Sequence, residues 1–239
     1  MSDHTGQSRP KIILLAGFGD NAHMFDRLFD TELPSHFQLL PINLPGFGTP
    51  ALSGITTLQH LAEHVGSIAL QEEAHIIVAH SVASIIASLV AKQHPNQIDQ
   101  VISLEGNLTA DDAYFSGMAA DYDTPADFRA AFLQQLDAMA ERNKDVVRYR
   151  DAVAQADPDA LWQLGCDARR FSDENVPGEL LLAAKDVLYV YNPDNCPASS
   201  LSWLQTHPMP VILVPGASHA IPVDQPDVLA KIIIDHVRE

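Results

Sequence analysis

The sequence is short of positive charge and of cysteine. Of its 239 residues only 14 are Lys or Arg, against 31 Asp or Glu, a formal net charge of −17. That deficit excludes a nucleic-acid partner, because holding phosphate backbones takes a basic surface. It disfavours docking on an anionic membrane for the same reason. The lysines are Lys11, Lys92, Lys144, Lys185 and Lys231 alone. Two cysteines, Cys166 and Cys196, cannot build a disulfide framework and lack both Cys-x-x-Cys and metal-ligand spacing, so they read as reduced thiols. No apolar run approaches the ~20 residues that span a bilayer. Met1–Pro10 is polar, with no apolar signal core. A cytoplasmic protein, monomer or homodimer, is expected.

What is present is enough apolar material for a core: 46% of the residues are hydrophobic, which suits one globular domain with an insertion. Short branched runs recur, each ending in a turn: Lys11–Ala16 before Gly17-Phe18-Gly19, Phe37–Ile42 before Asn43-Leu44-Pro45-Gly46-Phe47-Gly48, Ala74–Ala79 before His80-Ser81, and Val101–Leu104. They read as buried strands. Helical spacing fills the gaps, at 21–33 (Met24, Phe25, Leu28 and Phe29 on one side), at Thr57–Leu70 and at Val82–His94. Residues 108–180 break the rhythm: they hold no convincing strand and have helical periodicity, as in Asp127–Met139. Strand-like runs return at Val187–Tyr191 and Val211–Val214, and a last helix covers about Asp224–Val237.

This alternation predicts an α/β fold, a mostly parallel sheet with helices on both faces. The core is expected at 1–107 and 181–239, with 108–180 as a helical cap over the C-terminal edge of the sheet, where ligands bind in such folds.

The strongest chemical signal is Val78-Ala79-His80-Ser81-Val82-Ala83. A serine on a sharp strand-to-helix turn needs small residues two before and two after it, usually G-x-S-x-G; here both are alanine. Three further stretches accompany it. Leu15-Ala16-Gly17-Phe18-Gly19-Asp20 resembles the His-Gly-x oxyanion loop of α/β-hydrolases, with Ala16 in the histidine's place. Asn43-Leu44-Pro45-Gly46-Phe47-Gly48-Thr49-Pro50 resembles their D-x-P-G-x-G-x-S turn. Val214-Pro215-Gly216-Ala217-Ser218-His219 resembles their last strand and histidine loop. In order and spacing the chain resembles the α/β-hydrolase superfamily from Lys11 to Val237, and around Ser35-His36-Phe37 and Leu44–Gly48 the pimeloyl-carrier methyl esterases. With ten residues before the first strand, the family's leading antiparallel hairpin is expected to be missing, leaving six parallel strands.

The resemblance implies a Ser-His-acid triad. Ser81 is the candidate nucleophile and His219 the base. Two positions compete for the acid. The family's common site, after the next-to-last strand, reads Tyr191-Asn192-Pro193-Asp194-Asn195, with Asn195 at the aspartate position and Asp194 one residue early. The other site is Glu105, leaving the strand Ile102-Ser103-Leu104, which resembles the strand-end glutamate of haloalkane dehalogenases. Glu105 is favoured and Asp194 is the alternative. The oxyanion hole is expected from the backbone N–H groups of Phe18 and Val82. Gly17, Phe115 and Phe132 are candidate substrate-binding residues, and His80 should point away from the site.

The function expected is a cofactor-free esterase acting on a small ester. Hydrolysis of a C–C bond or a lyase reaction could use the same triad, and a catalytically weak ligand-binding homologue is a third reading, suggested by Ala16, Ala79 and Ala83. Halide displacement is disfavoured, since it takes an aspartate nucleophile. His60-Leu61-Ala62-Glu63-His64 matches a zinc pattern, but no third ligand accompanies it, and no metal is expected. Gly17-Phe18-Gly19 is too short for a dinucleotide fingerprint. An acidic carrier protein is disfavoured as partner: residues 108–180 hold seven basic side chains against fifteen acidic ones, and docking such a carrier takes a basic patch.

Overall fold

The computed structural model describes residues 9–237, and of Asp145 only the backbone. The polar stretch read at the N-terminus lies outside the described residues up to residue 8. Six strands, β1 (Lys11–Leu15), β2 (Gln38–Ile42), β3 (Ile76–His80), β4 (Gln100–Leu104), β5 (Val187–Tyr191) and β6 (Val211–Leu213), form one sheet in the order β2-β1-β3-β4-β5-β6. Every pairing is parallel, as expected.

Period-two burial assigns the two faces. On β1, Ile13 and Leu15 join one apolar cluster while Ile12 and Leu14 join the other; on β3, Ile77 and Ala79 oppose Ile76 and Val78 in the same way. The helices complete both layers. They run in order as α1 (Leu33–His36), α2 (Leu58–Glu72), α3 (Ala83–Gln93), α4 (Pro125–Ala140), α5 (Asp145–Gln155), α6 (Pro158–Glu174), α7 (Pro177–Leu182), α8 (Ala198–Thr206), α9 (Ile221–Asp224) and α10 (Pro226–Val237). Helices α2, α3 and α8 cover the Ile13 face, and α1 and α10 the Ile12 face. Thr57 starts α2 by accepting from the His60 N–H at 3.1 Å, a cap that contributes about 1 kcal/mol.

One element departs from the expected helix. Residues Ala22–Asp30 wind as a 3-10 helix, burying Met24, Phe25 and Leu28. Phe29 is left 47% exposed, because three residues per turn carry it off the buried face.

From β4 to β5 the chain makes two 3-10 turns (Ala110–Ala113 and Ser116–Asp121) and then α4 to α7, with no strand. This insertion is tied down at α6. Its Gln163 side chain accepts from the Thr56 N–H at 2.7 Å, and its Asp167 carboxylate accepts from the Leu58 N–H at 2.8 Å, placing negative charge on the N-terminus of α2. Strand order reverses between β1 and β3, and an open α/β sheet places its ligand crevice at such a reversal, outside the carboxyl ends of the strands. The loop after β1 and the turn after β3 both lie there.

Candidate active site

Ser81 follows β3 directly and has φ +53, a left-handed conformation that a residue with a side chain adopts at a cost of about 1–3 kcal/mol. Its N–H donates to the Leu104 carbonyl at 2.9 Å, extending the ladder one residue past the strand, and its own carbonyl accepts from Ser84 at 2.9 Å to start α3. Ala79 and Ala83 are fully buried, so the tight packing that usually requires glycine accommodates a methyl group at both places. It does not at Gly17, where a Cβ would stand 3.0 Å from Ser81 Cβ and 2.8 Å from His80 Nδ1.

Glu105 repeats the device one strand over. It has φ +44, and its N–H donates to Val190 at 2.9 Å. Since β3 and β4 pair His80 with Leu104, continuing that register by one residue brings Ser81 level with Glu105. The Glu105 side chain is 2% exposed and its carboxylate is fully used. Oε1 accepts from the Asn192 N–H and from Asn195 Nδ2, both at 2.9 Å, and Oε2 accepts from His219 Nδ1 at 2.7 Å. With Nδ1–H committed to Glu105, Nε2 is the basic nitrogen of His219.

Asp194, the alternative acid, is exposed; its backbone N–H bonds Asn192 Oδ1 at 3.3 Å, and among the described residues the carboxylate that His219 hydrogen-bonds is that of Glu105, not Asp194. Ser81 and His219 line one cavity, and among the described residues no hydrogen bond joins Ser81 Oγ to the imidazole; such bonds commonly tighten only when substrate binds.

His80 does not point away. Its ring packs on that of His219, centroids 4.5 Å apart, and its Nε2–H donates to the His219 carbonyl at 2.8 Å. Burial, reinforced by the neighbouring His219, holds its pKa well below 6.5, so it is neutral. The local reason is the tight turn: with Ser81 in the left-handed region, the residue before it lies under the histidine loop rather than out in the α3 layer.

The cavity holds about 200 Å³ and is lined chiefly by apolar groups, among them Gly17, Phe18, Met24, Phe115, Met139 and Val146. Phe132 is not part of the lining. It is fully buried behind it, packed on Phe18 and Phe115 with centroids 5.8 Å away in each case. Cys196, beside Ser81 and Glu105 in a small adjoining cavity, is pushed up to about 12 by burial and by Glu105, which keeps it a neutral thiol. Among the described residues, neither the Phe18 N–H nor the Val82 N–H donates a hydrogen bond within the chain, although Phe18 and Val82 are buried. Such N–H groups ordinarily have partners.

His60 bonds the Ile55 carbonyl through Nδ1 at 2.7 Å, and among the described residues no group of three or more metal-ligating side chains gathers. No described helix is long and apolar enough to cross a membrane.

A family model described as the alpha/beta hydrolase family matches residues 12–232. The chain belongs to the alpha/beta hydrolase family. Curated relatives include a pimeloyl-[acyl-carrier protein] methyl ester esterase of Citrobacter koseri, 30% identical over 55% of this chain and 48% of that protein. The same enzyme of Cronobacter sakazakii is 35% identical over 42% of this chain and 38% of that one. The chain thus matches less than half the length of each. Among solved structures, a thermophilic esterase from Thermogutta terrifontis superposes with TM-score 0.76 at 16% identity, over 97% of this chain and 90% of the other. An enol-lactonase from Burkholderia xenovorans gives TM-score 0.74 at 18% identity, over 99% and 94%. These likenesses show the fold of this alpha/beta hydrolase.

The residues that sequence reasoning missed are the ones reaching across the site. Asn195 was visible only as an amide at an expected carboxylate position; the structure uses that amide to hold Glu105 and, at 3.1 Å, the Ala217 carbonyl. Asn195→Ala removes one charge-assisted bond to a buried carboxylate, worth about 1.5–3 kcal/mol. A fall in Tm of about 5 °C is expected by calorimetry for a chain of this size; an unchanged Tm would show that the Asn192 N–H holds Glu105 alone.

Proposed function

We propose that this protein is a serine hydrolase that cleaves a small, uncharged carboxylic ester through an acyl-enzyme. The observation that carries the reading is Ser81 at φ +53, on the turn between β3 and α3, lining one cavity with a His219 whose Nδ1–H is held by buried Glu105. In this reading Ser81 Oγ attacks the ester carbonyl as His219 Nε2 takes its proton. The Phe18 and Val82 N–H groups receive the negative charge on the carbonyl oxygen. His219, its cation stabilised by Glu105, then protonates the departing alkoxide, and a water activated by the same nitrogen releases the acid and restores Ser81.

The substrate class follows from volume and charge. A cavity of about 200 Å³ suits a short acyl or alcohol group. The ionised side chains around it are Asp20, Asp112 and Glu105 against Arg148, so a free carboxylate on the substrate would meet net negative charge. The relatives are named for a methyl ester on an acyl-carrier protein; the acidity of this chain argues against an acidic carrier docking here and leaves the small-ester chemistry in common.

A fluorophosphonate probe should label Ser81, and p-nitrophenyl acetate and butyrate should be turned over faster than the dodecanoate. The half-ester of a dicarboxylic acid should be at least about tenfold slower than the neutral ester of matched length. No labelling together with no turnover on any ester would end the esterase reading.

A further inference from the structure

The loop after β1 is built like a clamp around Phe18. A trans peptide sets its C=O and N–H on opposite sides of one plane, so fixing the carbonyl of Gly17 fixes the direction of the Phe18 N–H. The Gly17 carbonyl accepts from the Asp20 N–H at 3.2 Å. The next peptide is fixed too, because the Phe18 carbonyl accepts from the Tyr149 hydroxyl at 2.8 Å. Both dihedrals of Phe18 are therefore constrained: the first by a local turn whose Asp20 is anchored from the insertion, the second by the insertion directly. Tyr149 lies on α5 of the insertion, where burial raises its pKa well above 10 and keeps the phenol a donor. Asp20 is held by the neighbouring α5 residue, Arg148, through two parallel bonds of 2.7 and 2.6 Å, the bidentate geometry that locks a carboxylate most firmly. The Asp20 side chain is 4% exposed. From above, the insertion presses on the same loop: a Cβ on Gly19 (φ +70) would stand 2.9 Å from Val153 of α5, and the Phe18 ring packs on Phe128 and Phe132 of α4 at 6.1 and 5.8 Å.

We infer that Arg148 and Tyr149, adjacent on α5, are positioning residues that aim the Phe18 N–H at the reacting carbonyl, so that the oxyanion site is completed by the inserted helices. This rests on the hydrolase reading above. The insertion then does two things with one helix: Val146, Arg148 and Tyr149 wall the cavity, while the latter two hold the donor that only the transition state uses fully.

The test compares Tyr149→Phe, Arg148→Met and Arg148→Lys with Arg150→Ala. Arg150 is on the same helix but pairs with Asp137 away from the loop, at 2.7 Å. For each, kcat and KM on p-nitrophenyl butyrate, the inhibition constant of an alkyl boronic acid that forms a tetrahedral adduct on serine, and the thermal melt are measured. Removing an oxyanion donor outright costs about 10²–10³-fold in kcat. A mis-aimed one should cost about tenfold to hundredfold in Tyr149→Phe and Arg148→Met, with KM within about threefold and boronate affinity weakened in step with kcat. Arg148→Lys should fall between, and Arg150→Ala should match the wild type. A raised KM with unchanged kcat and boronate affinity would overturn the inference and make both residues simple cavity walls. So would activity lost only in proportion to unfolded protein. If the wild type is neither labelled by a fluorophosphonate nor turns over any ester, the hydrolase reading falls and takes the clamp with it; if the wild type is active and the variants turn over normally, the clamp alone falls.

Discussion

Ser81→Ala should lower kcat/KM on a short p-nitrophenyl ester by about 10⁴-fold or more and abolish fluorophosphonate labelling, with the fold intact by circular dichroism. The magnitude is that of removing a nucleophile whose base and oxyanion donors remain. A second substitution separates chemistry from backbone. Ser81 occupies φ +53, where alanine keeps the strain but glycine relieves it at about 1–2 kcal/mol. Ser81→Gly should therefore be as inactive as Ser81→Ala but melt about 2–8 °C higher. Position 81 would then be one where folding stability is given up for a side chain that the fold does not need, as strained residues at functional sites commonly are. Turnover in either variant within tenfold of the wild type would remove Ser81 from the mechanism.

How much of this could be read in the residues depended on the range of the interaction. Strands were legible because their burial is decided locally: Val187–Tyr191 matches β5 end to end, and the other five runs overlap their strands within two residues at each end. The serine turn was legible despite Ala79 and Ala83, because order along the chain compensated for the missing glycines. The 3-10 winding of Ala22–Asp30 was not, since its spacing of apolar residues resembles an α-helix until Phe29 emerges on the exposed side. Phe132 was taken for a wall of the pocket because an aromatic on the insertion could face either way; four aromatic neighbours, Phe18, Phe115, Phe128 and Tyr149, take up its ring. The Arg148–Asp20 and Tyr149–Phe18 contacts span 128 and 131 residues of sequence. In a chain so rich in acids, nothing marks Asp20 as the one that an arginine will seek.

The acid of the triad is where two readings predict opposite outcomes. Glu105→Gln should reduce kcat by about 10⁴-fold, the scale set when an amide replaces the acid of a Ser-His-acid triad, while Asp194→Asn should stay within about twofold. The hydrogen-bond inventory gives the reason. The Glu105 carboxylate receives three donors and gives none: two on Oε1, from Asn192 and Asn195, and one on Oε2, from His219. A glutamine amide has one oxygen and one NH₂ to place in those two positions. With NH₂ at the Oε1 position it would face two N–H groups in a buried site, each left unpaired at about 1–3 kcal/mol. The oxygen therefore takes that position, and the NH₂ points at His219 Nδ1. The imidazole must then carry its proton on Nε2, which leaves no lone pair towards Ser81. The variant would be folded, with its base in the wrong tautomer and no carboxylate to stabilise an imidazolium. Asp194 has no such inventory: it is exposed, and among the described residues its side chain makes no hydrogen bond or ion pair with His219 or Glu105. Steady-state kinetics of the two amide variants, with labelling rates for Ser81, decide between them. Should Asp194→Asn lose activity and Glu105→Gln keep it, Glu105 would be a buried structural carboxylate, and His219 would have to turn from it to a partner on the loop after β5.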